Sequence, residues 1–139
     1  MLPIILCGHG RWASGCVSCL AMVIGEQERL IAIDFLGDSD AFKAQLQTAY
    51  DNFADATATP LFICDFLGGT PFQAASLIAM KEGAQVLAGL GLPALLALLP
   101  RRTGLSAEDF CQEALALNVA TTLSMQLAKN NDDFEGDGI

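Results

Sequence analysis

Cationic side chains are scarce in this chain: 7 Lys and Arg stand against 16 Asp and Glu, for a formal net charge of -9. A surface so biased repels phosphate backbones and anionic lipid headgroups, which excludes nucleic acid as a partner and favours a basic protein docking on an acidic face. Histidine is scarcer still, with His9 alone. Long hydrophobic runs are missing: the longest, Val86 to Leu99, contains Gly and Pro and falls short of the roughly 20 residues that a bilayer-spanning helix needs. The opening residues Met1 to Cys7 have no positive n-region and give way at Gly8-His9-Gly10, too soon for a signal peptide, so a soluble, cytoplasmic protein is expected. The 5 cysteines (Cys7, Cys16, Cys19, Cys64, Cys111) are odd in number and scattered through apolar segments, a pattern of buried reduced thiols rather than of a disulfide framework.

What the chain does have is apolar surface, 53% of 139 residues, enough for the core of one domain. That domain is expected over 1-129, with the acidic, Gly-containing stretch 130-139 as a frayed tail. Short apolar runs alternate with longer amphipathic stretches, the pattern of parallel strands joined by crossover helices. Strands are predicted at Leu2 to Cys7, Arg29 to Phe35, Pro60 to Cys64 and Gln85 to Ala88. Helices are predicted at Arg11 to Ile24, Asp38 to Phe53, Pro71 to near Gly83, Leu92 to Arg101, and Ala107 to Ala128, the last capped by Ser106. The fold class is α/β: a flavodoxin-like, open, mainly parallel sheet of core order 2-1-3-4 with helices on both faces. In such sheets ligands sit beyond the carboxyl ends of the strands where the strand order reverses, here between the first and third strands.

Those two ends carry the least ordinary loops of the sequence. Gly8-His9-Gly10 follows the first strand and precedes a helix N-terminus, a ready anion site. Asp65-Phe66-Leu67-Gly68-Gly69-Thr70 follows the third strand and leads into another. Phosphoryl transfer needs a positioned nucleophile and donors for the phosphate oxygens, and an imidazole of ordinary pKa, about 6.5, is mostly neutral and nucleophilic at neutral pH. If Asp65 accepts from one ring nitrogen of His9, the tautomer is fixed and the other nitrogen is left to attack; by this reasoning Nδ1 faces Asp65 and Nε2 takes the phosphate.

The stretches Gly8-His9-Gly10-Arg11-Trp12-Ala13-Ser14-Gly15, Ile31-Ala32-Ile33-Asp34-Phe35 and Asp65-Phe66-Leu67-Gly68-Gly69-Thr70-Pro71-Phe72 make the chain similar, over nearly its whole length, to the IIA component of the mannose-type sugar phosphotransferase system. The resemblance implies a phosphotransferase acting through a phosphohistidine: His9 accepts phosphate from the carrier HPr and passes it to a IIB component, with the membrane IIC and IID components served indirectly. It implies that Asp65 orients His9, that Thr70 donates to the phosphate, and that the protein is a homodimer. Gly10, Arg11, Trp12, Gly68 and Gly69 fall in the implied phosphate- and partner-binding loops, and neither metal nor cofactor is called for. The stretch Gly104 to Ser106 and the ending Glu135 to Ile139 look most like the N-acetylgalactosamine or galactosamine branch. Two positions depart from the family pattern after the fourth strand, Gly91 for an Asn and Ala97 for a Glu.

Other readings compete. Gly8 to Ala13 also fits the G-x-G-x-x-G/A dinucleotide fingerprint, with Asp34 at a suitable distance for a ribose. Cys16-Val17-Ser18-Cys19 has the spacing of a redox pair, though inside a helix, and Cys7, His9 and Cys64 form a conceivable metal site. Arg11 either stabilises incoming phosphate or is merely solvated, and Trp12 is either a partner contact or a packing residue. A non-catalytic regulator that keeps the fold is a further alternative.

Overall fold

Four parallel strands in the order β2-β1-β3-β4 form the sheet of the computed structural model, which describes residues 1-55, 57-126 and 128. They are β1 (Ile4–His9), β2 (Leu30–Phe35), β3 (Leu61–Cys64) and β4 (Gln85–Ala88), and they alternate with helices α1 (Trp12–Ile24), α2 (Ser39–Phe53), α3 (Thr70–Glu82), α4 (Leu92–Leu98) and α5 (Ala107–Thr121). The sheet is thus the expected flavodoxin-like one. Side chains of alternate strand residues enter two cores. Ile4 and Leu6 of β1 pack with Leu20 of α1, Leu95 of α4 and Phe110 of α5, while Ile5 and Cys7 pack with Phe42 and Leu46 of α2 and Ala75 and Ile78 of α3. Each face of the central strand is therefore covered by its own helical layer.

Caps agree with the sequence: the Asp38 carboxylate accepts from the Ala41 N–H to open α2, and the Ser106 hydroxyl accepts from the Asp109 N–H to open α5. Three boundaries differ from expectation. β1 runs on through Gly8 and His9, because β2 is long enough to pair with both, Gly8 opposite Asp34 and His9 opposite Phe35. The helix expected over Leu92 to Arg101 ends at Leu98 and tightens into a 3-10 helix, Leu99–Gly104, since Pro100 has no N–H for an α-helical bond. The helix expected to reach Ala128 ends at Thr121; the hydroxyls of Thr121 and Thr122 donate back to the carbonyls of Leu117 and Asn118. The expected tail 130-139 lies outside the described residues.

One buried charge fastens the pole of the sheet opposite the strand ends. Arg102, 1% exposed, donates to the carbonyl oxygens of Leu2, Arg29 and Glu28, tying the 3-10 helix to the entries of β1 and β2. Burial and the nearby Arg29 charge lower its pKa from the ordinary guanidinium value.

Candidate functional site

β1 and β3 pair in register up to Cys7 opposite Cys64, so the next residues of the two strands, Gly8 and Asp65, emerge side by side. A Cβ on Gly8 would lie 2.7 Å from Trp12 Cε3 and 3.0 Å from Asp65 Cβ. Glycine there leaves room for Trp12 on one side and lets the Asp65 side chain turn back toward His9 on the other. Asp65 is fixed by three donors: its Oδ2 accepts from the His9 N–H at 2.9 Å and from His9 Nδ1 at 2.7 Å, and its Oδ1 accepts from the Phe66 N–H at 2.9 Å. Burial by itself raises the Asp65 pKa, but the two backbone N–H groups and the imidazole outweigh it and hold the carboxyl below its ordinary value of 3.8.

The Asp65 side chain is 8% exposed and that of His9 38%. With Nδ1 bonded to the carboxylate, Nε2 is directed toward the opening of α3, where a Cβ on Gly69 would stand 3.3 Å from Nε2 and 2.8 Å from Cε1. Gly69 has φ +53° and ψ 167°, a backbone region open essentially to glycine alone, and no side chain caps the helix it begins. The imidazole sits in an aromatic slot: Phe66 stacks on it in parallel at 4.7 Å between centroids and 4° between planes, and Phe35 meets it edge-on at 5.7 Å and 79°. Leu36 and Leu67, strongly exposed, and Phe66, half exposed, give the site an apolar rim.

The structure therefore brings together His9, Asp65, Gly69 and the start of α3 at Thr70, as the sequence predicts. Gly10 (φ +56°) and Gly68 (φ +94°) form open turns on either side. Arg11 is exposed beside the site and Trp12 packs partly into the core under Gly8. The first helix N-terminus is not the open anion site that the sequence suggests. Asp34 fills it, its Oδ1 accepting from the Ser14 N–H at 3.0 Å and its Oδ2 from the Ser14 hydroxyl at 2.6 Å. That contact also overturns the dinucleotide reading, because the carboxylate needed for a ribose is committed to the helix and would repel a pyrophosphate.

Two further readings fail on geometry. Cys7 and Cys64 are neighbours, with Sγ atoms 3.4 Å apart, but both are fully buried in the α2 and α3 core. Their mutual hydrogen bond, with burial and the charge of Asp65, raises the Cys7 pKa well above the ordinary thiol value. Among the described residues no group of three or more His, Cys, Asp or Glu is placed to hold a metal ion. Cys16 is buried inside α1 and burial raises its pKa, the reverse of what an attacking thiol requires. Gly91 and Ala97 lie on α4 and its cap, away from the contacts of His9. The Gly91 N–H donates to Asn118 Oδ1 at 2.8 Å, so α5 supplies an amide at that turn, and Ala97 is exposed.

The family model described as PTS system fructose IIA component matches residues 3–115. The chain is 32% identical over 126 residues to the PTS system fructose-specific EIIA component of Bacillus subtilis, covering 85% of this chain and 82% of that protein. It is 32% identical over 143 residues to the sorbose-specific EIIA component of Lacticaseibacillus casei, covering 96% and 100%. Among solved structures, the phosphotransferase system component EIIA from Streptococcus agalactiae superposes with a TM-score of 0.80 at 27% identity, covering 89% of this chain and 97% of that one.

Proposed function

The chain belongs to the mannose-type EIIA family of the sugar phosphotransferase system, and we propose that its phosphocarrier role runs through a phosphohistidine formed on Nε2 of His9. The observation that carries this reading is the 2.7 Å bond between His9 Nδ1 and the buried Asp65 carboxylate. It holds the proton on Nδ1 and leaves the Nε2 lone pair as the nucleophile. Attack by Nε2 on the phosphorus of phospho-HPr forms an N–P bond as the donor's own bond to phosphorus breaks. The proton stays on Nδ1, so the imidazole ring becomes formally cationic, and the Asp65 carboxylate balances that charge. The uncapped start of α3 offers backbone N–H groups and the Thr70 hydroxyl to the phosphate oxygens, in the field of the helix N-terminus. The same steps in reverse deliver the phosphoryl group to the IIB component.

The apolar rim of Leu36, Phe66 and Leu67 is suited to docking both partner proteins over His9. Among the described residues no helix is long and apolar enough to cross a membrane. We read the chain as a cytoplasmic carrier made of one domain, 1-129. A homodimer is supported by the edge strand β4, which has no further strand beside it among the described residues, and by exposed Leu77 and Met80 on α3 and Leu115 and Val119 on α5, the two helices that flank that strand. The N-acetylgalactosamine or galactosamine branch remains our reading of the subfamily. The relay is tested by incubating the protein with labelled phosphoenolpyruvate, enzyme I and HPr. An acid-labile label present in the wild type and lost in His9→Ala is the expected result; an unlabelled wild type alongside labelled HPr would sink the relay.

A further inference from the structure

We propose that Phe66 is a positioning residue of this relay, whose ring face holds the His9 imidazole in its reactive orientation and stabilises the cationic ring of the phosphohistidine. The inference rests on the phosphohistidine reading above and adds to it a group that makes no bond to phosphate.

Phe66 is placed by the same carboxylate that orients His9, since its backbone N–H donates to Asp65 Oδ1 at 2.9 Å. Half of its surface stays in water. The covered part lies flat on the imidazole, 4° from parallel. Exposing so much of a phenyl ring forgoes burial that the core would reward, and the contact it makes instead is with one reactive ring. The remaining sides of the imidazole are also bounded. Phe35 stands edge-on to it and is itself anchored edge-on against Phe42 of the core, at 5.4 Å, and Gly69 closes on Cε1. Asp65 fixes the Nδ1 edge but leaves the ring free to rock about that bond; the Phe66 face removes this freedom and keeps Nε2 in the plane aimed at the start of α3.

Charge supplies the second effect. When the Nε2 lone pair forms the bond to phosphorus and the donor's electrons return to its own ring, no proton leaves His9, and positive charge spreads over the imidazole. The face of a phenyl ring is the negative part of its quadrupole and attracts a cation lying over it. Phe66 therefore favours the phosphorylated ring over the neutral one, which is differential stabilisation of the kind that shifts both rate and equilibrium. A leucine of similar bulk would cover the imidazole without that attraction, whereas tyrosine retains it.

The test uses the full chain as Phe66→Leu and Phe66→Tyr. With phosphoenolpyruvate, enzyme I and HPr, the equilibrium ratio of phosphorylated protein to phospho-HPr should fall about 3- to 10-fold in Phe66→Leu and return to within about 2-fold of wild type in Phe66→Tyr. In the unphosphorylated proteins, the Cε1–H order parameter of the His9 ring should be high in wild type and Phe66→Tyr and fall in Phe66→Leu, while the Asp65 bond keeps the Nδ1–H tautomer in all three. Equal behaviour of wild type and Phe66→Leu in both measurements would overturn the proposal, as would equal losses in the leucine and tyrosine variants. If the wild type takes no label on His9, the relay itself fails, and the order parameter of the ring alone then decides whether Phe66 orients it.

Discussion

Three hydrogen bonds converge on the Asp65 carboxylate, and all three donors are N–H groups: two on Oδ2 from His9 and one on Oδ1 from Phe66. An asparagine has one acceptor oxygen, so Asp65→Asn must turn its NH₂ toward a donor on one side or the other. If that side is His9, the ring is pushed to the wrong tautomer; if it is Phe66, the loop under Gly69 is disturbed. We predict that Asp65→Asn keeps the fold but slows phosphoryl transfer from HPr about 100-fold, a loss typical of a misplaced reacting group, measured as the rate of label uptake. The same carboxylate sets an acid limit. Its pKa is lower in the folded protein than its ordinary 3.8, so its contribution to stability is complete above that value and is lost as pH falls through the lower folded value. The urea midpoint of the wild type should therefore approach that of Asp65→Asn only below about pH 3.8. His9, Asp65 and the glycines were legible in the sequence because each sits at a strand end in a glycine-rich loop. The Asp34 to Ser14 cap was not, because it joins residues brought together only by the β1 and β2 register, and a phenylalanine in a loop gives no sign of what it stacks on.

At the scale of elements, the site is a product of where β1, β3 and α3 stop and start. Gly69 begins α3 with a backbone that other residues do not adopt, and its missing Cβ makes room for the His9 ring. Gly69→Ala should destabilise the protein by about 1–3 kcal/mol in denaturant titration and, because the added methyl meets His9 Cε1 and Nε2, should abolish label uptake even where the protein remains folded. At the other pole, Arg102 satisfies three backbone carbonyls at the entries of β1 and β2. Arg102→Met keeps much of the volume but removes the donor to those carbonyls, of which that of Arg29 keeps the Ile4 N–H, and a loss of about 2–4 kcal/mol in unfolding free energy is expected while phosphoryl transfer by the folded protein is unchanged. The alternation of strand and helix was legible from apolar runs alone. The ends of α4 and α5 were less so: Pro100 and the Thr121-Thr122 pair carry the stop signals, but in apolar stretches whose helical pattern continues past them. Nothing in the apolar pattern marked Arg102, since an arginine between two predicted helices reads as solvent-exposed.

For the whole molecule, the homodimer proposed above rests on the edge strand β4, which has no further strand beside it among the described residues, and on apolar residues of both flanking helices. Sedimentation equilibrium should give twice the 14.6 kDa chain mass, and Leu77→Lys with Val119→Lys should return it toward the monomer while leaving the His9 site folded. The acidic balance of the chain and its apolar rim around His9 together describe a carrier that meets protein partners rather than small molecules. The mechanism proposed above divides the imidazole into one nitrogen that keeps its proton and one that takes phosphate. The most direct measurement is ¹⁵N and ³¹P NMR of protein labelled at histidine and phosphorylated through enzyme I and HPr. A phosphorus coupling to Nε2, with Nδ1 still protonated against Asp65, is the predicted result; phosphate on Nδ1, or on any residue other than His9, would contradict it.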